Sequence, residues 1–597
     1  MQMNGRQTLL QRAQLWLSVQ SRRINIRQLT FILAIIIGLV AGGVTCLFEW
    51  LLELIKHGLT SWFAVEQIGW LYLVYPAVGI ILATIFVRFI IKDDISEGVT
   101  KVLKAMSTNS SAIKPHNCYS SVVGGALTIG FGGSVGPEAP IVLTGAAIGS
   151  NIGRMMKLNY RNLTLMLACG VAAALSAIFK APITGVIFVM EILLLDMSMT
   201  AIIPLIISSV TAVTLTFVVR GFEPMLSADI PSLTLSHIPI YTVLAVLCGL
   251  MCYYFTSVNF RIKDRFGRIK TQWGKWLTGG IALGVLIIIF PALYGEGYGV
   301  FHNFMKGDIG TVFNNSPFYR FQGMELVVLI YLLGIMFFKV IAMAVTNAAG
   351  GVGGTFAPSL FVGAFMGAIV AYVCNTWLGM ELSIAAFSLV GMAGIMSGVM
   401  KAPLTAVFLI AEISSAYQLF VPLMLVSCVS YVIDRYLEPD SIYTKSLRKK
   451  GQLLTHDKDQ AVSVILSIRE LVETDIISVG EYDTLGDMVV KVIPHTKRNI
   501  FPVISDERKL LGVIEFDRLR KDMFDQTKYP NSVKRYMTTP PDIITITESA
   551  TSVLEKFEQT GAWNLPVVDK DSHYLGFLSK SNILTAYREK LREMTQE

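Results

Sequence analysis

Apolar residues are distributed very unevenly along the 597-residue chain. From about Leu29 to Tyr431 the sequence consists of long apolar runs separated by short polar breaks, and after Leu437 it changes to the mixed composition of a water-soluble domain. The first run is long enough to cross a bilayer, which requires roughly 20 apolar residues. The pattern predicts a multi-pass helical membrane domain followed by a domain exposed to water.

Composition and charge agree with this division. The chain is 53% hydrophobic and 16% charged, whereas soluble proteins are typically about 25% charged. The segment before the first apolar run contains five arginines and no acidic residue, which places it in the cytoplasm by the positive-inside rule. The run begins too far into the chain, and is too long, for a signal peptide. We expect a multi-pass protein embedded in membrane lipid, with a cytoplasmic N-terminus and a cytoplasmic soluble tail.

The sequence lacks the features that are typical of several other classes of protein. The net charge of +7 lies largely in loops beside the apolar runs, so no nucleic-acid partner is expected. The seven cysteines contain no Cys-x-x-Cys pair and are interpreted as small apolar residues. The chain has no Gly-x-x-x-x-Gly-Lys-Ser/Thr loop and no His-Glu-x-x-His pair. We expect no metal site, no required cofactor and no enzymatic activity; a membrane enzyme or pump, or a sensor without flux, is a disfavoured alternative.

Two blocks of the membrane domain occur twice, in the same order and at nearly the same offset. One block begins at Gly170 and again at Gly391, and shares Lys-Ala-Pro-x-Thr followed by a glutamate. The other begins at Gly132 and again at Gly350, and shares a glycine-rich stretch followed by Ala-Pro. Glycine- and alanine-rich composition alone would not reproduce both blocks. The duplication predicts an inverted internal repeat, as in transporters that bind their substrate where two halves meet.

In each half the glycine-rich stretch leads into a short apolar run, Ile141–Ile152 in the first and Ser359–Val373 in the second. We interpret both runs as half-helices that are too short to cross a bilayer alone. A helix N-terminus presents unpaired N–H groups and a partial positive charge, so it can bind an anion without a cationic side chain. Irregular backbone at membrane depth is tolerated where it lines a cavity. The two loops are therefore expected to lie on an ion pathway.

The two loops differ at their tips, where the first has Glu138 and the second has the neutral Phe356. A carboxylate at membrane depth is costly and indicates a functional site. At a helix N-terminus it can occupy the anion site itself and vacate it when it is protonated. Glu138 is therefore predicted to be a gate and a candidate proton carrier. The alternative is that Glu138 only caps its helix.

These loops resemble those of the CLC family of chloride channels and chloride/proton exchangers. The family loops read GREGP and GxFxP; here residues 136–140 read GPEAP and residues 354–358 read GTFAP. A tyrosine expected at the end of the membrane domain matches Tyr443. The resemblance extends over nearly the whole chain. It implies a voltage- or pH-gated homodimer with one pathway per subunit for chloride or a related small anion.

The resemblance also implies roles for individual residues. Glu138 would be the external gate. The loop at Gly136, the backbone N–H groups of Thr355 and Phe356, and the hydroxyl of Tyr443 would bind the anion.

Two departures from the family pattern bear on this function. The family loop GSGxP corresponds to residues 96–100, which read SEGVT. The position of the family's anion-binding serine aligns with Glu97 or, if the alignment is shifted by one residue, with Ser96. Exchangers of the family often have a proton-relay glutamate, and that position aligns with Ile192, after Glu191. Ile192 favours passive conduction, with proton-coupled exchange as the alternative, and Glu191 is expected to be structural because the second half repeats it.

The soluble tail contains its own duplication, in which FPVI at residues 501–504 matches LPVV at residues 565–568. Each copy is predicted to fold as strand, helix, strand, turn, strand and helix, and the two resemble a pair of CBS motifs. CBS pairs often bind adenosine nucleotides through the motif Gly-h-h-Ser/Thr-x-x-Asp, in which h is a hydrophobic residue. In the second copy Ser579 occupies the Ser/Thr position and Asn582 occupies the Asp position. An adenine nucleotide is therefore a candidate ligand. The alternative is a structural, dimerising module.

The sequence thus predicts an all-α polytopic membrane protein with an inverted internal repeat and broken half-helices, followed by an α/β CBS pair. The predicted segments are an N-terminal cytoplasmic segment (1–27), a membrane domain (28–445, with halves at about 28–220 and 238–436), a linker (446–473) and two CBS motifs (474–530 and 531–597).

Overall fold

The computed structural model divides the chain into two compact units, Met1–Lys450 and Gly451–Glu597. The division falls close to the change from apolar to mixed composition. The predicted cytoplasmic segment and the predicted linker lie for the most part outside the described residues. The structure describes residues 25–62, 71–108, 111–193, 199–223, 225–226, 235–299, 303, 306, 310–314, 316–321, 323–449, 468–496, 498–548 and 550–595.

The first unit is built from apolar helices. Nine helices within the described residues are long and apolar enough to cross a membrane, and the prediction of a polytopic α-helical domain is confirmed. The helices are α1 (Ile26–Trp62), α2 (Leu71–Ile85), α3 (Gly98–Thr108), α4 (Asn117–Gly130), α5 (Glu138–Met155), α6 (Tyr160–Phe179), α7 (Pro182–Ile192), α8 (Met199–Arg220), α9 (Ile238–Gly267), α10 (Gln272–Ile289), α11 (Glu325–Ala348), α12 (Phe356–Leu378), α13 (Ile384–Met400), α14 (Pro403–Ser414), α15 (Phe420–Leu437) and α16 (Lys445–Lys449).

Both halves pack a glycine-containing helix directly against the helix that follows it. Gly145 of α5 faces Gly170 of α6, and a Cβ atom on Gly145 would lie 2.2 Å from the Gly170 carbonyl oxygen. Gly363 of α12 faces Gly391 of α13 in the same way, at 2.4 Å. Glycine at these positions lets the helix backbones touch, as small residues commonly do between membrane helices. The glycines that the two sequence blocks share are therefore packing positions.

Helices α7 and α14 cap each other. The Glu191 carboxylate near the end of α7 accepts hydrogen bonds from the backbone N–H and the hydroxyl of Thr405, both at 2.7 Å. The Glu412 carboxylate near the end of α14 accepts the corresponding bonds from Thr184, at 2.8 and 2.5 Å. Because the C-terminal end of each helix lies at the N-terminal end of the other, the two helices run antiparallel. This geometry is that of the predicted inverted repeat.

The half-helices are longer than the apolar runs predict. Helix α5 has 18 residues and α12 has 23. Helix α12 is long enough to cross a membrane, so the prediction that it is too short is wrong. Both helices begin at the loop tip and contain a proline in the first turn, where no backbone donor is needed. Helix α12 continues past its predicted run, and there the Asn375 side chain makes two hydrogen bonds to the backbone of Leu382.

The second unit contains two three-stranded sheets of the same topology. In each sheet the first strand is parallel to the second, and the second is antiparallel to the third. Both sheets also shift register at the same point of the second strand. The predicted duplication is therefore visible in the fold. The elements are α17 (Ile468–Leu471), β1 (Val479–Gly480), α18 (Leu485–Asp487), β2 (Ile500–Ile504), β3 (Leu510–Glu515), α19 (Phe516–Leu519), β4 (Ile544–Thr545), α20 (Ala550–Thr560), β5 (Asn564–Val568), β6 (Tyr574–Ser579) and α21 (Lys580–Thr595).

Candidate anion site

The two glycine-rich loops meet at the N-termini of α5 and α12. Gly136 and Gly354 exchange backbone hydrogen bonds, at 3.0 Å from the Gly136 nitrogen to the Gly354 oxygen and at 2.7 Å in the opposite direction. A Cβ atom on Gly136 would lie 2.0 Å from Oε2 of Glu138 and 2.9 Å from the Cβ atom of Ala357, so a larger residue would displace the Glu138 side chain. The pairing brings the unpaired N–H groups of two helix N-termini to one place.

Glu138, the first residue of α5, lies at this junction and is only 2% exposed. Its Oε1 accepts a hydrogen bond from the Tyr298 hydroxyl at 3.2 Å. Its Oε2 is buried and meets no donor at hydrogen-bonding geometry among the described residues, although the backbone N–H groups of Glu138 and Ala357 face the carboxylate. Leaving a buried charged oxygen without a donor is costly. The energy of the site should therefore change when Oε2 gains a proton, binds a water molecule or moves with its side chain.

Thr355, Phe356 and Tyr443 lie on the other side of the junction. Thr355 Oγ1 is buried and, within the described part of the chain, has no hydrogen-bonding partner. Phe356, the first residue of α12, is 1% exposed. The buried Tyr443 hydroxyl donates a long hydrogen bond to the Met400 sulfur at 3.6 Å, and it lies close to Thr355 and within electrostatic range of Glu138. The structure therefore brings these predicted residues together in one buried cluster.

Ser96 and Glu97 lie just before α3 and have other partners. The Ser96 hydroxyl donates to the Asp94 carboxylate at 2.7 Å, and Glu97 forms an ion pair with Lys263 in which both side chains are largely exposed. Among the hydrogen bonds of the described residues, neither side chain contacts the buried cluster. Gly98 instead packs against α5, where a Cβ atom would lie 2.1 Å from a backbone oxygen. The backbone of α3, rather than either predicted side chain, reaches the first turn of α5.

Glu191 and Ile192 form the end of α7. The Glu191 carboxylate is engaged in capping α14, which is the structural role expected for it. Ile192 is 5% exposed and carries no titratable group. The side chain at position 192 therefore cannot bind a proton.

Sequence reasoning missed Tyr298 and Lys339. Lys339 of α11 is fully buried and donates a hydrogen bond to the Gly295 carbonyl oxygen at 2.9 Å. A lysine inside an apolar run is a signal that the sequence does contain. Tyr298 has no such signal, because it is one of 21 tyrosines and only the tertiary fold brings its hydroxyl to Glu138.

In the second unit, Ser579 and Asn582 line an open cleft of about 480 Å³. The Asn582 side chain donates to Glu473 at 2.6 Å, and the Asn582 backbone N–H donates to Ser579 Oγ at 3.1 Å. Arg498 pairs with Glu473 at 2.6 Å. Trp563 also lines the cleft and is 73% exposed. The two residues predicted to bind a nucleotide are thus brought together, beside charged groups that the sequence pattern did not indicate.

Comparisons with known proteins agree with this geometry. The family model described as voltage gated chloride channel matches residues 78–435, and the CBS domain model matches residues 533–589. The voltage-gated ClC-type chloride channel ClcB of Salmonella typhimurium is 27% identical over 325 residues, which cover 53% of this chain and 72% of that protein.

Two solved structures have a similar fold. A slow cyanobacterial Cl⁻/H⁺ antiporter has a TM-score of 0.61 at 22% identity and covers 72% of this chain and 98% of its own. A eukaryotic CLC transporter has a TM-score of 0.58 at 16% identity and covers 94% of this chain and 99% of its own. At these identities the similarity shows the fold alone. Because the family model matches more than half of the sequence, the chain belongs to the voltage gated chloride channel family.

Proposed function

We propose that this chain transports chloride or a related small anion across a membrane, through one pathway in each subunit of a homodimer, with Glu138 as the gate. The observation that carries the proposal is the buried Glu138 carboxylate at the junction of two helix N-termini, with one oxygen unpaired among the described residues. Family membership supports chloride as the ion. Transport would follow ion gradients and need no enzymatic step.

The charged Glu138 carboxylate and the transported anion would compete for the same positive region. Two helix N-termini attract negative charge without a bound cation, and the Glu138 carboxylate occupies that region when it is charged. Protonation removes the charge, so an anion can replace it. The anion would be held by the backbone N–H groups of Thr355 and Phe356 and by the Tyr443 hydroxyl, which also makes a weak hydrogen bond to the Met400 sulfur. Neutral donors of this kind bind an ion weakly enough to release it.

Passive conduction is the favoured mode. Position 192 is a buried isoleucine, and the neighbouring Glu191 is engaged in capping α14. Neither residue is available to relay protons to Glu138. The alternative is a proton-coupled exchanger that uses another route.

The orientation in the membrane follows from charge. The five arginines before and at the start of α1 favour a cytoplasmic N-terminus. Lys56, near the far end of this 37-residue helix, would then lie toward the outside. Lys56 pairs with Glu296 at 2.9 Å, so the polar groups next to Glu138 would open toward the external side. The CBS pair would be cytoplasmic.

We further propose that the cleft at Ser579 and Asn582 binds an adenine nucleoside or nucleotide. The exposed Trp563 offers an aromatic face on which a base can stack. The carboxylates of Glu473 and Asp475, which also line the cleft, can accept hydrogen bonds from ribose hydroxyls. Arg498 lines the same cleft and pairs with both carboxylates, and its guanidinium can bind a phosphate. The cleft can therefore accept either adenosine or an adenine nucleotide. If it binds none, the CBS pair is a structural module.

The transport proposal can be tested with purified protein in liposomes, under a chloride gradient and with external pH recorded. Chloride movement that requires a potassium ionophore to dissipate the voltage, without proton movement, is expected for passive conduction. Uphill proton movement driven by chloride would replace passive conduction with the exchanger alternative. The absence of chloride flux above that of protein-free liposomes, or a flux that requires ATP hydrolysis, would contradict the proposal.

A further inference from the structure

The segment Tyr294–Tyr298 forms a tight turn beside Glu138. Gly295 and Gly297 have φ values of 66° and 96°, which glycine adopts without strain. A Cβ atom on Gly297 would lie 2.3 Å from the ring of Phe361 in α12. The shape of the turn is therefore determined both by its backbone and by its packing against α12.

Three further contacts fix this turn in place. The Gly295 N–H donates to the Gly132 oxygen at 3.0 Å, in the loop that leads to α5. The Gly295 oxygen accepts the 2.9 Å hydrogen bond from the buried Lys339 of α11. Glu296 pairs with Lys56 of α1 at 2.9 Å. The turn is thus attached to three other parts of the membrane unit.

The last residue of the turn is the one that contacts Glu138. The Tyr298 hydroxyl lies 3.2 Å from Oε1 of Glu138 and can donate its proton there. We propose that Tyr298 is a positioning residue, which holds the charged Glu138 side chain in the closed arrangement. This inference rests on the proposed gate role of Glu138.

The direction in which Tyr298 changes the pH dependence of transport follows from the strength of its hydrogen bond to Glu138. A hydroxyl stabilises an ionised carboxylate more than a protonated one, because hydrogen bonds to charged groups are roughly twice as strong. Tyr298 therefore favours the charged, closed gate. Without its hydroxyl, Glu138 would take up a proton at a higher pH, so transport would begin at a higher pH.

The charged and titratable groups that face Glu138 must also be considered. Glu296 and Tyr443 act on Glu138 electrostatically, and Lys339 and Glu49 lie near the same groups. A Tyr298→Phe substitution changes none of these residues and keeps the aromatic ring. A shift in the pH dependence of that variant would therefore report the loss of one O–H group.

The test measures chloride flux into liposomes against external pH for the wild type, Tyr298→Phe, Glu138→Gln and the double variant. We expect Tyr298→Phe to shift the pH of half-maximal flux upward by about 0.5 to 1 unit. The flux of Glu138→Gln should not depend on pH, and adding Tyr298→Phe to this variant should leave its flux independent of pH. Tyr331→Phe is the matched control, because the hydroxyl of this buried tyrosine contacts the backbone of Ile289 instead, and it should retain the wild-type midpoint.

An unchanged midpoint in Tyr298→Phe, with Glu138→Gln still abolishing pH dependence, overturns the role of Tyr298 and leaves the gate intact. Wild-type pH dependence in Glu138→Gln overturns the gate itself. If Tyr298→Phe cannot be purified, Gly297→Ala takes its place. The added methyl group would collide with Phe361 and displace the turn without changing any charge, so it should shift the midpoint in the same direction; an unchanged midpoint overturns the inference.

Discussion

Two buried side-chain oxygens lie at the proposed anion site. Glu138 Oε2 and Thr355 Oγ1 meet no hydrogen-bonding partner among the described residues, although folded proteins pair the large majority of such atoms. The sequence alone indicates Glu138 as a candidate, because a carboxylate in apolar, glycine-rich surroundings is itself unusual. It does not indicate Tyr298, because the contact of Tyr298 with Glu138 joins residues 160 positions apart in the sequence.

The CBS cleft makes a prediction for one side chain. Asn582→Ala should weaken adenosine binding by about tenfold or more, because the variant loses an amide that faces the cleft. Isothermal titration of the full-length protein in detergent measures adenosine binding by the wild type and by the variant, with the exposed Gln559→Ala as control. Equal adenosine binding by wild type and Asn582→Ala would exclude this site.

At the scale of helices, the sequence predicts which elements exist more reliably than where they end. The paired glycines correctly indicated two equivalent helix-loop units, because close backbone contacts such as Gly145–Gly170 require glycine in both halves. Helix α12 extends beyond the predicted run that ends at Val373, because the end of an apolar run is not always the end of the helix. Asn375 shows why this fails: a polar residue can remain within a membrane helix when a backbone segment pairs with its side chain.

The reciprocal caps make a prediction for the two halves together. Glu191→Gln and Glu412→Gln should each destabilise the protein by roughly 1–3 kcal/mol, because each replaces a charged acceptor of several hydrogen bonds by a neutral one. The losses should be similar, since the two sites are equivalent. Thermal unfolding in detergent measures the change, with Glu381→Gln in an exposed loop as control. A normal melting temperature in either cap variant would show that mutual capping does not stabilise the repeat.

At the scale of the whole molecule, both duplications were predictable because each repeats chemically specific residues and not only apolar character. The loop before α3 is less predictable. Its alignment leaves Ser96 and Glu97 as alternatives, and in the structure they contact Asp94 and Lys263 respectively. Sequence alone does not show that the backbone at Gly98, rather than either side chain, packs against α5.

The proposed gate is Glu138, and the chloride flux of Glu138→Gln in liposomes, measured as external pH is varied, tests that role directly. Glutamine has nearly the shape of a protonated glutamate but cannot become charged, so it should leave the anion site open at every pH. We predict a wild-type flux that rises as pH falls, a Glu138→Gln flux that does not depend on pH, and a Glu381→Gln control that behaves as the wild type. A Glu138→Gln variant that retains the wild-type pH dependence would contradict the central claim.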